Sequence, residues 1–263
     1  MELKFEEIKQ KDSVLNFTIK NEQINGITGT HLEEIVDIIK IKLDYKGIIL
    51  VNKKELKKDE IVALKKKINL VEEQIKENLQ GKTIWELMMK EIENRKVYPK
   101  DVDKKITDSL KIVGLDKSYL VRSYYSLSTS EKKLIQIAMS LLTNPEVIIL
   151  ESPFRSLDLK NGKKIMMLLQ KMKDQYHKTI VIVSQDKEEI YQYTDYVIIY
   201  TNNKILLEGK TIDVYKNVET LKKHKIAIPE IVEFTYLVKK EKKVKIDYYK
   251  DIRDLIKDIY KHV

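Results

Sequence analysis

Two short stretches of this sequence carry residue types suited to holding an anion. In the first, Gly26-Ile27-Thr28-Gly29-Thr30-His31-Leu32-Glu33 sets two glycines ahead of a helical-period run at Leu32, Ile35, Val36, Ile39 and Leu43. In the second, Ser128-Thr129-Ser130-Glu131 opens a run with Leu134, Ile137, Ala138 and Leu141 on one face. Glycine lets backbone N–H groups approach a ligand closely, and a helix N-terminus points unpaired N–H groups at it, so phosphate is the ligand this chemistry suits. The same residues also have the form S/T-x-x-E. There the hydroxyl caps the third helical amide and the carboxylate folds back on the cap's own amide. On that reading, Thr30 with Glu33 and Ser128 with Glu131 each give their helix an internal carboxylate where an external anion would otherwise bind.

Other chemistries are poorly represented. There is no cysteine, and the four histidines (His31, His177, His224, His262) are not at metal-ligand spacing, so no metal site and no disulfide are expected. The net charge is +9, but lysine heavily outnumbers arginine and no aromatics interleave with the basic residues. That favours a lysine-rich surface over a nucleic-acid partner, and Lys239–Lys245 is expected to be a solvated face. The longest apolar run is far short of a membrane span, and the N-terminus is charged, so a cytoplasmic protein is expected.

These stretches need an α/β scaffold to position them. Leu3–Phe5 and Val14–Ile19 read as short strands around a polar turn at Lys9–Asp12, and a third strand covers Gln23–Ile27. Strands follow at Gly47–Val51 and Ile68–Val71. A helix-rich middle then carries Trp85, Leu87 and Met88, followed by Val102, Ile106, Leu110 and Val113. The second half alternates helix 130–142, strand 147–150, helix 159–173, strand 179–183 and a short helix at 187–191. The wholly apolar strand 147–150 is expected to be buried on both faces. A hairpin at Tyr196–Leu207 turns at Asn202-Asn203, and helices after Pro229 and near Ile252 close the chain.

The motif order resembles the ATPases of ABC transporters. Leu127-Ser128-Thr129-Ser130-Glu131 stands where that family has its LSGGQ signature. Asn144-Pro145-Glu146 through Leu150-Glu151-Ser152-Pro153 is similar to its Walker B strand, and Leu157-Asp158 to its D-loop. Ile180–Asp186 is similar to the strand ending in the switch histidine, and Ile68–Gln74 lies at the Q-loop. The tail, with Ile212-Asp213-Val214-Tyr215, Leu221 and Ala227–Val232, resembles the C-terminal extension of energy-coupling-factor ATPases. The resemblance implies a P-loop NTPase fold, with a RecA-like core, an antiparallel β subdomain and a helical subdomain over residues 1–215. A helical, dimerising extension would cover residues 216–263.

The resemblance implies ATP and Mg²⁺ as cofactors, but the matching positions depart from the family. The phosphate loop GxxGxGK[ST] keeps Gly26 and Gly29, with Thr28 and Thr30 between and after them. Its third glycine is His31, its lysine is Leu32 and its Mg²⁺ ligand is Glu33. The Walker B aspartate is Glu151, the general base is Ser152 and the switch histidine is Gln185. The Q-loop glutamine is Glu73 or, one residue on, Gln74. Ser128 and Asp158 keep the family type, while both signature glycines are lost, to Thr129 and Ser130, beside Glu131. Ser152 cannot accept a proton near neutral pH. The expectation is therefore a chain that does not hydrolyse ATP on its own, the non-catalytic half of a heterodimer in a vitamin or metal importer. Its partners would be a second ABC ATPase, an integral membrane coupling subunit received near Glu73–Leu79, and a substrate-binding membrane protein. Its place would be peripheral, on the cytoplasmic face of the cell membrane. The alternatives are a divergent active ATPase, a scaffold that keeps only the fold, and an ABC protein acting on ribosomes or DNA.

Overall fold

The structure, a computed structural model, describes residues 1–10, 13–41, 46–73, 82–96, 99–242 and 245–262. In chain order the strands are β1 (Leu3–Gln10), β2 (Ser13–Ile19), β3 (Ile24–Gly29), β4 (Lys46–Val51), β5 (Lys54–Glu55), β6 (Ile68–Val71), β7 (Val147–Glu151), β8 (Thr179–Val183), β9 (Tyr196–Thr201) and β10 (Lys204–Lys210). The helices are α1 (Leu32–Ile39), α2 (Ile61–Lys66), α3 (Ile84–Asn94), α4 (Val102–Ile112), α5 (Thr129–Leu141), α6 (Leu159–Tyr176), α7 (Lys187–Tyr193), α8 (Thr211–Tyr215), α9 (Val218–Lys223), α10 (Glu230–Lys242) and α11 (Ile252–His262).

The strands form two sheets. An antiparallel sheet has the order β2-β1-β4-β5, and a six-stranded sheet has the order β10-β9-β3-β8-β7-β6. In the larger sheet every neighbouring pair is parallel except β9 with β10. The parallel strands are buried on both faces, and β7 shows why it reads as unbroken apolar sequence. Val147 and Ile149 pack toward the antiparallel sheet and α1, while Ile148 and Leu150 pack toward α3–α6. The expected hairpin is present, with Asn202 (φ 49°) and Asn203 (φ 58°) in the left-handed region that its turn requires.

The C-terminal helices rest on this core. Val214, Tyr215, Val218, Leu221, Ile228 and Val232 are buried in the same cluster as Ile148 and Leu150. The tail is also tied to α7. Glu188 Oε1 accepts from the Glu230 amide at 2.8 Å, the Tyr191 hydroxyl donates to the Tyr249 carbonyl at 3.1 Å, and Lys250 Nζ donates to the Thr194 carbonyl. Met88 is buried and Trp85 half-buried against this core, while Phe234 and Leu237 of α10 face solvent. Lys239 does not lie free on a solvated face, because its ammonium donates to the Ile246 carbonyl.

Two expected boundaries differ at the first anion-type stretch. The third strand runs from Ile24 to Gly29, two residues further than the apolar pattern suggests. Pairing explains the extension: β8 holds Ile24–Ile27, and β9 then carries the strand on to Gly29, opposite Tyr200. Helix α1 ends at Ile39, and Leu43 lies outside the described residues.

Candidate functional site

The C-terminal ends of parallel strands are where α/β sheets place ligands. Here the ends of β3, β6, β7 and β8 open into a cleft of about 720 Å³. Leu32 and Glu33 enter it from α1, Glu73 from beyond β6, and Glu151 and Ser152 from the end of β7. Ser184, Gln185 and Asp186 follow β8, and Glu189 enters from α7. The structure thus gathers in one place the residues matched to the phosphate loop, Q-loop, Walker B and switch positions. Gln74 and the rest of the proposed membrane-subunit groove to Leu79 lie outside the described residues.

The phosphate-loop positions do not form a loop. Gly26, Thr28 and Gly29 lie within β3, and only Thr30 and His31 connect it to α1. The two glycines serve sheet packing. A β-carbon on Gly26 would meet Thr194 at 2.9 Å, and one on Gly29 (φ +126°) would lie 1.8 Å from the Tyr200 carbonyl oxygen. A phosphate loop of the G-x-x-x-x-G-K form needs its first five residues free to wrap an anion. Here Gly26 and Ile27 are paired on both sides, with β8 and β9, Thr28 and Gly29 with β9 alone, and Thr30 N donates to Tyr200 O at 2.9 Å. Leu32 is buried, with Ile35 and Val36, in the core beneath the antiparallel sheet.

The expected capping box at Thr30 is also absent. His31, in the left-handed region (φ 52°), is the N-cap of α1 and makes no side-chain cap bond. Thr30 is held one residue too far back, its hydroxyl 3.2 Å from that of Thr201. Glu33, three-quarters exposed, has its carboxylate 3.7 Å from His31 Nδ1 and makes no bond to a cap residue's amide. The strand's extension to Gly29 therefore leaves Thr30 short of the cap position, and the self-capped helix is not formed.

The second stretch behaves as its sequence indicates. Ser128 caps α5, its hydroxyl accepting from Glu131 N at 3.3 Å, while Ser128 N and Oγ both donate to Glu131 Oε2 at 2.8 Å. The other carboxylate oxygen accepts from the Tyr119 hydroxyl at 2.6 Å and from Arg122 at 3.2 Å. These donors, Tyr119 first, hold the Glu131 carboxyl down at about 2. Thr129 and Ser130 form the first turn of α5, and Asp158 caps α6 by accepting from Asn161 N at 2.8 Å.

Charge in the cleft is largely acidic. Among the described residues Glu33, Glu73, Glu151, Asp186 and Glu189 line it, with Arg155 as the one cation. Arg155 Nη1 pairs with the Glu73 carboxylate at 3.0 Å. A second cation stands behind the wall: Lys133 of α5 is buried, donates to the Glu73 carbonyl at 3.1 Å, and is pulled below its ordinary value by burial against the opposing charges of Glu73 and Glu151. Glu189 accepts from Ser184 Oγ at 2.9 Å, and burial pushes its carboxyl up. Ser152 (φ 43°) and Ser156 (φ 62°) hold the left-handed conformation that disfavours non-glycine residues, Ser152 with its amide donating to Val183 O at 2.9 Å. Gln185 is exposed at the rim.

Arg155, Lys133, Ser184 and Glu189 were not among the sequence candidates. Lys133 had a legible signal, since it falls one turn before Ile137 and so on the buried face of α5. The others have none in the sequence, because loop packing brings them to the cleft.

Comparison with known proteins settles the family. The family model described as ABC transporter matches residues 13–155, more than half of the chain. The chain belongs to the ABC transporter family. Its curated relatives include energy-coupling factor transporter ATP-binding proteins. EcfA2 of Clostridium perfringens is 31% identical over 184 residues, 70% of this chain and 64% of that protein. EcfA2 of Clostridium tetani is 30% identical over 235 residues, 86% of this chain and 80% of that protein. EcfA of Methanocaldococcus jannaschii is 28% identical over 220 residues, 83% and 78%. Among solved structures, CbiO1 from Clostridium perfringens, described as part of the ABC transporter complex cbiONQ, superposes with a TM-score of 0.72. It shares 23% identity, over 89% of this chain and 98% of that one. A dimeric ATP-binding cassette bound to ADP and phosphate gives a TM-score of 0.65 and 22% identity over 80% of this chain and 98% of that one. The fold is the ABC nucleotide-binding fold, and it places this cassette's cleft at the strand ends described above.

Proposed function

We propose that this ABC subunit is the non-hydrolysing partner in an energy-coupling-factor type importer for a vitamin or metal. It would pair with a second, active ABC ATPase, and the pair would act on an integral coupling subunit and a substrate-binding membrane protein. The observation that carries the proposal is the two-residue connector, Thr30-His31, between β3 and α1. ATP and Mg²⁺ bind the family through a wrapped, glycine-rich loop ending in lysine and a hydroxyl residue. In this chain the residues do not fit that ligand. The loop is taken up into the strand, the lysine position is a buried leucine, and the hydroxyl position is Glu33. The cleft wall adds Glu73, Glu151, Asp186 and Glu189, which repel phosphate and are only partly balanced by Arg155.

The base position supports the same reading, because Ser152 has no basic lone pair at neutral pH to activate water. On the opposite subunit's site this chain would present α5, whose N-terminus already carries the bound carboxylate of Glu131. Its contribution is then structural, as a rigid half that fixes the partner's geometry. Mg²⁺-dependent turnover measured on the pure chain tests the proposal. A rate at the blank level is expected, together with co-purification from detergent-solubilised membranes of a second ATPase. Steady turnover abolished by Glu151→Gln would overturn the non-hydrolysing role. Isolation with no second ATPase and no integral subunit would overturn the importer assignment.

A further inference from the structure

The charge of this chain is unevenly spread. Residues 46–67 hold eight lysines against Glu55, Asp59 and Glu60, a local excess of five within a whole-chain net charge of +9. They belong to the β4–β5 hairpin, the turn after it and α2. Lys53, Lys54, Lys57, Lys58, Lys65 and Lys66 are all exposed, and among the described residues no carboxylate pairs with any of them. Lys67 alone of the group is paired, to Glu146 at 2.7 Å. This surface lies at the opposite end of the sheet from the acidic cleft. Lys67 directly precedes β6, and the neighbouring Met1 amine donates to Thr179 at the start of β8.

The lysines surround apolar surface. A cleft of about 250 Å³ sits between hairpin and helix, lined by the apolar Met1, Val51, Leu56, Ala63 and Leu64 and by two charges of each sign, Lys54, Lys67, Glu55 and Glu60. Beside it Val62 is 66% exposed on α2. The positive excess therefore lies on the exposed lysines around the recess rather than in it, and such a basic face beside apolar surface is complementary to a surface that is anionic outside and hydrocarbon beneath.

We propose that the β4–β5 hairpin and α2 form a docking face for an anionic lipid bilayer. The six free lysines meet the headgroup phosphates, and Val62 with the apolar recess meets the interfacial hydrocarbon. The inference is independent of whether the cleft binds nucleotide.

Co-sedimentation of the intact chain with lipid vesicles tests it. The expected result is binding to phosphatidylcholine vesicles containing about one third phosphatidylglycerol, weakening steeply with salt as screening predicts, and none to pure phosphatidylcholine. Replacing the six lysines (53, 54, 57, 58, 65, 66) by glutamine is expected to weaken binding by roughly tenfold or more. A charge-matched variant with Lys160, Lys163, Lys164, Lys204, Lys223 and Lys225 changed to glutamine is expected to bind nearly as the native chain does. Matching thermal unfolding of both variants excludes misfolding as the cause. Equal loss in both would mean that net charge alone drives binding, and would overturn the assignment of this face. Absence of vesicle binding at low salt would also overturn it, as would capture of an acidic polypeptide by this face in preference to vesicles.

Discussion

Glutamate 131 offers the sharpest physical test of the site. Its carboxylate accepts from Ser128 N and Oγ at 2.8 Å, Tyr119 OH at 2.6 Å and Arg122 Nη1 at 3.2 Å. Glu131→Gln keeps the shape and removes the charge, and an amide cannot accept through both arms. A lost capping box is worth about 1 kcal/mol, and charge-assisted bonds about 1.5–3 kcal/mol each, discounted here because the group is partly open to solvent. A loss of about 1–2 kcal/mol is therefore expected at pH 7. With a urea slope of about 3 kcal/mol/M, the unfolding midpoint falls by about 0.3–0.7 M. The pH dependence fixes the cause. The folded carboxyl is depressed to about 2 from an ordinary 4.5, so its stabilisation is complete above 4.5 and is lost as pH falls toward 2. The gap between native and variant midpoints should close over that same window. Equal midpoints at pH 7, or a gap that persists unchanged at pH 2, would refute the account of an internal carboxylate held at this helix end.

Other variants probe neighbouring parts of the site. Gly29→Ala puts a β-carbon 1.8 Å from the Tyr200 carbonyl at a φ of +126°, so circular dichroism should show a loss of stability of at least about 3 kcal/mol or no folded protein. Ser128→Ala should cost about 1 kcal/mol in chemical denaturation by uncapping α5. Lys133→Met should destabilise the chain by about 1–3 kcal/mol, because the Glu73 carbonyl loses its donor. Arg155→Ala, at a pair whose arginine is two-thirds exposed, should change the unfolding midpoint by less than about 1 kcal/mol equivalent.

The sequence carries the strands and helices of the core well, because their apolar period is set by burial on one or both faces. Strand β7 and helix α5 follow their patterns almost residue for residue. The Glu131 capping box is likewise local, needing only Ser128 three residues before it. The first stretch fails for the opposite reason. Nothing within Gly26–Glu33 reveals that β9 will pair as far as Gly29, so the strand's length is decided by residues about 170 positions away. Glycine serves close backbone approach of any kind, so Gly26 and Gly29 do not reveal their neighbours in the sequence. Here the close neighbours are Thr194 and Tyr200. The acidity of the cleft was half visible, in Glu33, Glu73 and Glu151. Asp186 and Glu189 join it only through the turn after β8.

Calorimetric titration of the purified chain with Mg-ATP should give no binding heat at millimolar nucleotide, because β3 runs into α1 through Thr30 and His31 alone and the cleft beyond them is acid-lined. Saturable micromolar binding that is lost in Glu151→Gln would contradict that expectation, and would mean that this cleft holds a nucleotide without the loop the family uses.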